Sequence, residues 1–186
     1  MSSIEIVYFC RHASPIWYHK DFPYLQLPGP PLTERGEAEA VEMGYFLRRA
    51  GIIKLLSSPY RRCLQTAEAI STMIGVPVEV NDGIRESQPE EPPEAVVERF
   101  MPVFNDVNAL CRSRGTAAIV SHGSPIDVML QALGAPPEVL ERERRYDHDL
   151  PIPTGGIWKV WRSQPNLAWN FALVFSPNHR AKDEAI

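Results

Sequence analysis

Three observations predict an α/β fold with a mostly parallel sheet. Short apolar runs near residues 4–10, 52–56, 76–80 and 117–120 alternate with stretches of helical periodicity. Two further runs, 156–161 and 169–175, follow each other with only a turn-like 163–166 between them, which adds an antiparallel edge. Several runs also end in polar residues of one kind, Arg11-His12, Ser57-Ser58 and Ser121-His122. In open α/β sheets ligands collect at the carboxyl ends of strands, so these residues can converge there.

Each element has its own justification. Ile6 to Phe9 reads as a buried strand that opens at Arg11-His12 and is broken by Ser14-Pro15. The irregular stretch that follows carries Trp17, Tyr18, Phe22 and Tyr24, and its aromatic density beside His12 suits either a substrate mouth or a loop packed on its own core. Thr33 is an N-cap for a helix in which Ala38, Val41, Tyr45 and Ala40, Gly44, Leu47 recur at helical spacing until Gly51. After the strand 52–56, Cys63, Thr66, Ala67, Ile70 and Ile74 mark one helix face, closed by Gly75. Arg62 falls in the first turn of that helix, where it can point to the same edge as His12.

The strand 76–80 leads through Ile84-Arg85-Glu86 into an acidic, Pro-rich loop. Val97, Phe100, Phe104, Val107 and Cys111 then make an amphipathic helix that Pro102 should kink or restart. Pro125 suits the first turn of a helix with Ile126, Met129, Leu130 and Leu133 on its apolar face, closed by Gly134 and Pro136. A charged stretch, Glu138 to Asp149, precedes the final strands, and the tail from 178 is expected to fray.

The bulk numbers exclude several classes. At 186 residues, 44% hydrophobic and 23% charged, the chain is long enough for one domain with a substantial core. A net charge of −4 disfavours nucleic acid as a partner, which calls for a basic stripe. No apolar run approaches the ~20 residues of a membrane span, so no membrane partner is expected. The N-terminus enters a strand without a leader-like segment, and Cys10, Cys63 and Cys111 form no paired framework. A cytoplasmic location is the expectation. The 18 prolines cluster in 23–31, 89–93 and 136–153 and read as stiff connections.

Two arginines and two histidines at one sheet edge suit a phosphoryl group. Arginine forks hold phosphate oxygens bidentately and offset their charge. A neutral imidazole can attack phosphorus and become a phosphohistidine. With arginines supplying charge, neither a metal nor another cofactor is required. A carboxylic acid must protonate the leaving oxygen, and Glu86 at a strand end is best placed, with Asp127 and the Asp147–Asp149 loop next. Other chemistries fail simple tests. A Cys-dependent phosphatase needs Arg six residues after Cys, but those positions hold Ile16, Ala69 and Ala117. Asp147-His148-Asp149 follows Arg144-Arg145-Tyr146 instead of an apolar strand, and neither G-x-x-x-x-G-K-[ST] nor G-x-S-x-G occurs. The five histidines lack metal spacing. His19, His148 and His179 read as surface residues, Arg61 as a rim cation, Cys10 as core, and Glu86 to Glu98 as a mostly solvated acidic face.

The motif string resembles that of the histidine phosphatase superfamily, the phosphoglycerate mutase-like family. Arg11-His12-Ala13 is similar to its R-H-G signature, with Ala13 for Gly. Pro31-Leu32-Thr33-Glu34-Arg35-Gly36 resembles its P-L-T-x-x-G. Residues 57–67 resemble S-S-x-x-x-R-A-x-Q-T-A, with Cys63 for Ala, and Ser121-His122-Gly123 resembles the second-His motif. The resemblance implies a three-layer α/β/α sandwich. It implies His12 as nucleophile, Arg11, Arg62 and His122 as phosphate ligands, and Glu86 as proton donor. Residues 1–177 would form one such domain without a large cap insertion, because only about 25 residues, mostly one helix, separate the Pro-rich loop from the next strand.

The resulting expectation is a metal-independent phosphomonoesterase acting through phosphohistidine, on a small phosphorylated substrate or a phosphoprotein. An open pocket would let water compete for the intermediate. A phosphoglycerate-type mutase and a non-catalytic phosphoprotein-binding module are the alternatives. The sequence leaves the substrate and the oligomeric state open.

Overall fold

The computed structural model describes residues 4–177, apart from the side chains of 112–114. The frayed tail expected from residue 178, with His179, lies outside the described residues. Strand β1 (Glu5–Arg11) is followed by helix α1 (Glu34–Leu47), β2 (Ile52–Ser57), α2 (Arg61–Ile74), β3 (Val78–Val80), α3 (Pro93–Arg114), β4 (Thr116–Ser121), α4 (Gly123–Ala132), α5 (Pro137–Glu143), β5 (Ile157–Arg162) and β6 (Asn170–Phe175). Short 3₁₀ turns lie at Asp82–Ile84 and Asp147–Asp149.

The six strands form one sheet in the order β3-β2-β4-β1-β5-β6. β3, β2, β4 and β1 are parallel neighbours, and β5 and β6 close the sheet antiparallel. The fold class read from strand and helix alternation is therefore the observed one.

Strand pleating divides the core. Val7 and Phe9 of β1 join Phe100, Phe104, Ile126, Met129, Leu140 and Trp158 on the α3, α4 and α5 side. Tyr8 and Cys10 face Met43, Leu47, Leu55, Cys63 and Ile70 on the α1 and α2 side. Burying a side chain such as Phe9 or Phe104 stabilises by about 2–3 kcal/mol each, so this alternation pins the register of β1. No helix among the described residues is long and apolar enough to cross a membrane.

Local signals behave as expected in most places. The Thr33 hydroxyl accepts from the Gly36 N–H at the start of α1, and Gly75 closes α2 at φ 74. Three details differ. In α1 the buried stripe is Ala40, Met43, Gly44 and Leu47, whereas Ala38, Val41 and Tyr45 face outward. Gly44 lets α2 approach here, since a Cβ would lie 2.8 Å from Met73. α3 runs unbroken through Pro102, with Phe100 and Phe104 buried on either side of it. α5 occupies part of the stretch expected to be irregular; its start at Pro136-Pro137 fits proline at N1.

Candidate active site

The carboxyl ends of β1, β2 and β4 lie side by side because these strands are parallel neighbours. Arg11 pairs with Ser121, and Ser57 with Val120. Backbone bonds extend one step beyond the ladder: the His12 N–H donates to the Ser121 carbonyl at 3.0 Å, and the Ser58 N–H to the Val120 carbonyl at 3.0 Å. Arg62 enters from the first turn of α2, and Glu86 follows the 3₁₀ turn after β3. The loop after Glu86 is clamped by Glu91, which accepts from Arg85 at 3.1 Å and from Arg99 at 2.7 Å. All five residues expected at the site are thereby brought to one place, and all five are buried.

His12 is fully buried. Its Nδ1 lies 2.8 Å from the Ala13 carbonyl, which can only accept, so the proton sits on Nδ1 and Nε2 carries the lone pair. Burial, with Arg62, His122 and Arg11 nearby, holds its pKa well below 6.5. The ring is neutral at ordinary pH.

His122 lies against it, with ring centroids 5.3 Å apart. The Ser58 hydroxyl is 2.7 Å from His122 Nε2, and Glu86 Oε2 is 3.2 Å from Nδ1. Burial lowers the His122 pKa to about 4, against the opposing pull of Glu86. Burial would raise the Glu86 carboxyl, but His122 and Arg62 outweigh it and bring the pKa down to about 2. Glu86 stands as an ionised carboxylate in this state.

Arg62 Nη2 donates to Glu86 at 3.1 Å and Nη1 donates to the Tyr24 carbonyl at 3.0 Å. Gly29 permits the loop to pass here: its φ is 70°, and a Cβ would come within 2.9 Å of Arg62 Nη1. Arg62 Nε and Arg11 Nε are buried donors with no protein partner. Buried donors are seldom left so, and an oxyanion between the two guanidiniums would satisfy them.

His12, Glu86 and His122 each offer a ligand atom within 4.8 Å of the others. Arg62 stands among them, 3.1 Å from both Glu86 and His122, and repels a metal cation. Cys63 touches the Ser121 carbonyl at 3.4 Å, and burial pushes its thiol up to about 12, so no thiolate competes with His12.

Two segments cover the site. The Tyr24 hydroxyl lies 3.3 Å from His12 Nε2, and the Tyr24 ring lies 4.0 Å from the Arg62 guanidinium carbon. Trp17 stacks on Tyr24 at 5.4 Å. The aromatic stretch after His12 is therefore a cover for the site, while Tyr18 is fully exposed. Asp147 reaches over from the loop before β5 and binds Arg11. The open pocket expected from the short segment after Glu86 is closed by these other loops. Asp127, the other fallback acid, is held by Arg144 at 2.8 and 2.9 Å. His148 is exposed, His19 packs on Phe22, and Arg61 is exposed above the Phe22 ring.

Residues 7–89 match the family model of the histidine phosphatase superfamily, branch 1. Solved structures share the fold across nearly the whole chain. A mycobacterial glucosyl-3-phosphoglycerate phosphatase superposes with a TM-score of 0.70 at 18% identity, covering 91% of this chain and 98% of that one. The protein described as phosphohistidine phosphatase SixA from Agrobacterium tumefaciens gives 0.64 at 21%, covering 95% and 100%. A phosphoglycerate mutase from Bacillus anthracis gives 0.73 at 16%, covering 93% of each. No curated protein sequence matches. Four motifs in order, the family match over residues 7–89 and the common sheet make this chain similar to the histidine phosphatase superfamily.

Proposed function

We propose that the protein is a metal-independent phosphatase that hydrolyses a phosphate monoester through a phosphohistidine at His12. The observation that carries this reading is the state of His12: buried, neutral, its proton tied to the Ala13 carbonyl, and its ring close enough to buried Arg62 and Arg11 to feel their charge. Arg11, Arg62 and His122 hold the phosphoryl oxygens. Nε2 attacks phosphorus as the bond to the leaving oxygen breaks, and Glu86 protonates that oxygen. Water then attacks phosphorus, Glu86 takes a proton from it, and the P–N bond breaks to return neutral His12.

The ionised resting state of Glu86 suits the second step directly. For the first step the carboxyl must gain a proton on substrate binding. A phosphoryl group that draws Arg62 and His122 away from Glu86 removes what holds its pKa down. A monoester can also bring the proton itself, since its second pKa is about 6.

Hydrolysis is favoured over mutase action by the path of the chain after Glu86. It runs through 87–92 into α3, and α3 packs on the sheet through Phe100 and Phe104. Residues 1–177 then act as one domain without a helical cap, on a small phosphorylated molecule or a phosphoprotein. Intermediate trapping tests this reading. Brief reaction with ³²P-labelled monoester in the presence of a chelator should leave an acid-labile, alkali-stable label on His12. A labelled acidic or hydroxyl side chain, or turnover that stops on chelation, would refute it.

A further inference from the structure

The fork of Arg11 is filled by the protein itself. Nη1 donates to Asp147 Oδ1 at 2.8 Å and Nη2 donates to Oδ2 at 2.6 Å. This parallel pair is the arrangement an arginine makes with carboxylate or phosphate alike. Asp147 belongs to none of the strand ends or helices that carry the motif residues. It lies 136 positions along the chain from Arg11, in the loop between α5 and β5. Arg11 is 2% exposed, while Asp147 reaches it from the surface and is 34% exposed.

The loop that carries Asp147 is fixed at both ends. Arg144 grips Asp127 of α4 and also donates to the Asp149 carbonyl at 3.0 Å. Leu150 lies against Gly123, where a Cβ would come within 2.4 Å of it. Between these posts His148 and Asp149 both adopt left-handed backbone, at φ 55° and 53°. That conformation costs non-glycine residues energy and persists where surrounding contacts impose it. The Trp17 and His148 rings meet at a steep angle with centroids 6.3 Å apart, and Trp17 in turn stacks on Tyr24. The two covering loops therefore meet each other above the motif residues.

We propose that Asp147 is an internal ligand of Arg11 that stands where a phosphoryl group binds, so that substrate must displace it and its return drives product phosphate out. The proposal rests on the reading of Arg11 and Arg62 as phosphate ligands. A tethered carboxylate competes without loss of translational freedom, at an effective concentration that free ligand must exceed. The apparent affinity of every phosphoryl ligand falls by the fraction of molecules in which Arg11 is free. The same carboxylate neutralises a buried guanidinium between turnovers, which an empty fork would leave uncompensated. A residue of this kind weakens substrate, product and vanadate alike, whereas a merely structural ion pair weakens none of them.

The test is to measure inorganic phosphate binding by calorimetry, vanadate inhibition, and kcat and KM on p-nitrophenyl phosphate, in wild type and in Asp147→Asn. Phosphate should bind about tenfold tighter or more in the variant. The vanadate inhibition constant and KM should fall by a similar factor, with kcat unchanged or reduced by slower release. Asp147→Ala provides the same comparison should the amide disturb the loop. Wild type gives an independent reading: saturating phosphate should speed amide hydrogen exchange in 145–149. Equal or weaker phosphate binding in both variants, or greater protection of 145–149, overturns the proposal. Arg62→Ala separates the two readings. If it abolishes phosphate binding while the Asp147 variants gain nothing, the phosphate site stands and the internal ligand falls. If phosphate binds Arg62→Ala as it binds wild type, the site reading falls and this proposal with it.

Discussion

The side chains around His12 come from two kinds of backbone. Arg11, His12 and His122 leave the sheet where the β1–β4 ladder ends, and Arg62 starts a helix packed against that sheet. Tyr24 and Asp147 reach the same spot from loops, Tyr24 through its stack on Trp17 and its contacts with Arg62, Asp147 through its pair with Arg11 from a loop pinned by Arg144 and Leu150. A strand end is fixed by its neighbours' hydrogen bonds, and moving it costs part of the core. A loop can open for much less, because its local stability is low. On the proposed reading, the contrast is a division of labour: the sheet edge fixes the groups that act on phosphate, and the loops govern access to them.

The largest expected effect tests the sheet edge. His12→Ala should reduce turnover on the order of 10⁴-fold or more, as loss of a nucleophile does in enzymes whose catalytic groups act as a unit. The melting temperature should stay close to wild type or rise, because a buried ring held neutral is not a source of stability at low pH. Turnover of p-nitrophenyl phosphate alongside a thermal melt makes the check. Activity within tenfold of wild type would show that another group attacks phosphorus.

The same contrast explains what the sequence revealed. Arg11, His12, Arg62 and His122 were legible because each follows an apolar run, and parallel strands bring such ends together. Asp147 was visible only as a fallback acid. Its partner Arg11 lies at the other end of the sequence, and no local periodicity connects a charged loop to β1. Tyr24 stands out in the sequence only as part of an aromatic cluster, since its contact with His12 Nε2 depends on how the loop folds back. The outward stripe of Ala38, Val41 and Tyr45 was misleading because apolar spacing alone does not tell which stripe meets α2; Gly44, which permits the close approach, was the better signal. α5 was masked by its charges and prolines.

Glu86 joins the two regions, since it follows a turn yet touches both Arg62 and His122. Glu86→Gln should cost about 10²–10³-fold in kcat/KM on alkyl phosphates, the range for loss of a general acid or base. On p-nitrophenyl phosphate the loss should be smaller, because a nitrophenolate leaves without a proton and only the water-activating step suffers. Activity on alkyl substrates should decline above about pH 6–7 in wild type, as both the monoester and the bound carboxyl lose the proton the first step needs. Equal losses on both substrates would reduce Glu86 to a residue that positions Arg62.

Stability against pH probes the buried histidines. Both His12 and His122 titrate below the value near 6.5 of an unfolded chain. As pH falls from 7, the unfolded chain therefore binds protons first, and stability must decline through the window down to about pH 4, where His122 is itself protonated. Glu86, down at about 2, adds a further loss between its ordinary value of 4.5 and pH 2. Between pH 7 and 4 the melting temperature should fall by roughly 3 °C or more for a chain of this size, and His12→Ala should lessen the slope. A flat profile in wild type would show that the imidazoles titrate in the folded protein as they do in the unfolded chain.

The smallest expected effect falls on Tyr24, and it sharpens the contrast most. Tyr24→Phe removes only the hydroxyl, leaving the ring on Trp17 and over Arg62. The lost hydrogen bond to His12 Nε2 is long, at 3.3 Å, and a neutral bond of this kind contributes about 1 kcal/mol or less. If His12 Nε2 attacks phosphorus as proposed, substrate must break this bond before reaction. Its removal should lower KM by a few-fold and leave kcat within about threefold of wild type. Burial raises the Tyr24 hydroxyl pKa, which makes it a poorer proton donor than an ordinary tyrosine and argues against a role in the chemical step. The decisive measurement is kcat for an alkyl phosphate in Tyr24→Phe, beside that in Glu86→Gln. A loss above about 10²-fold in Tyr24→Phe, with Glu86→Gln nearly unaffected, would make the loop tyrosine the leaving-group acid. The chemistry would then extend beyond the sheet edge into the cover, and the division between the two regions would fail at this one residue.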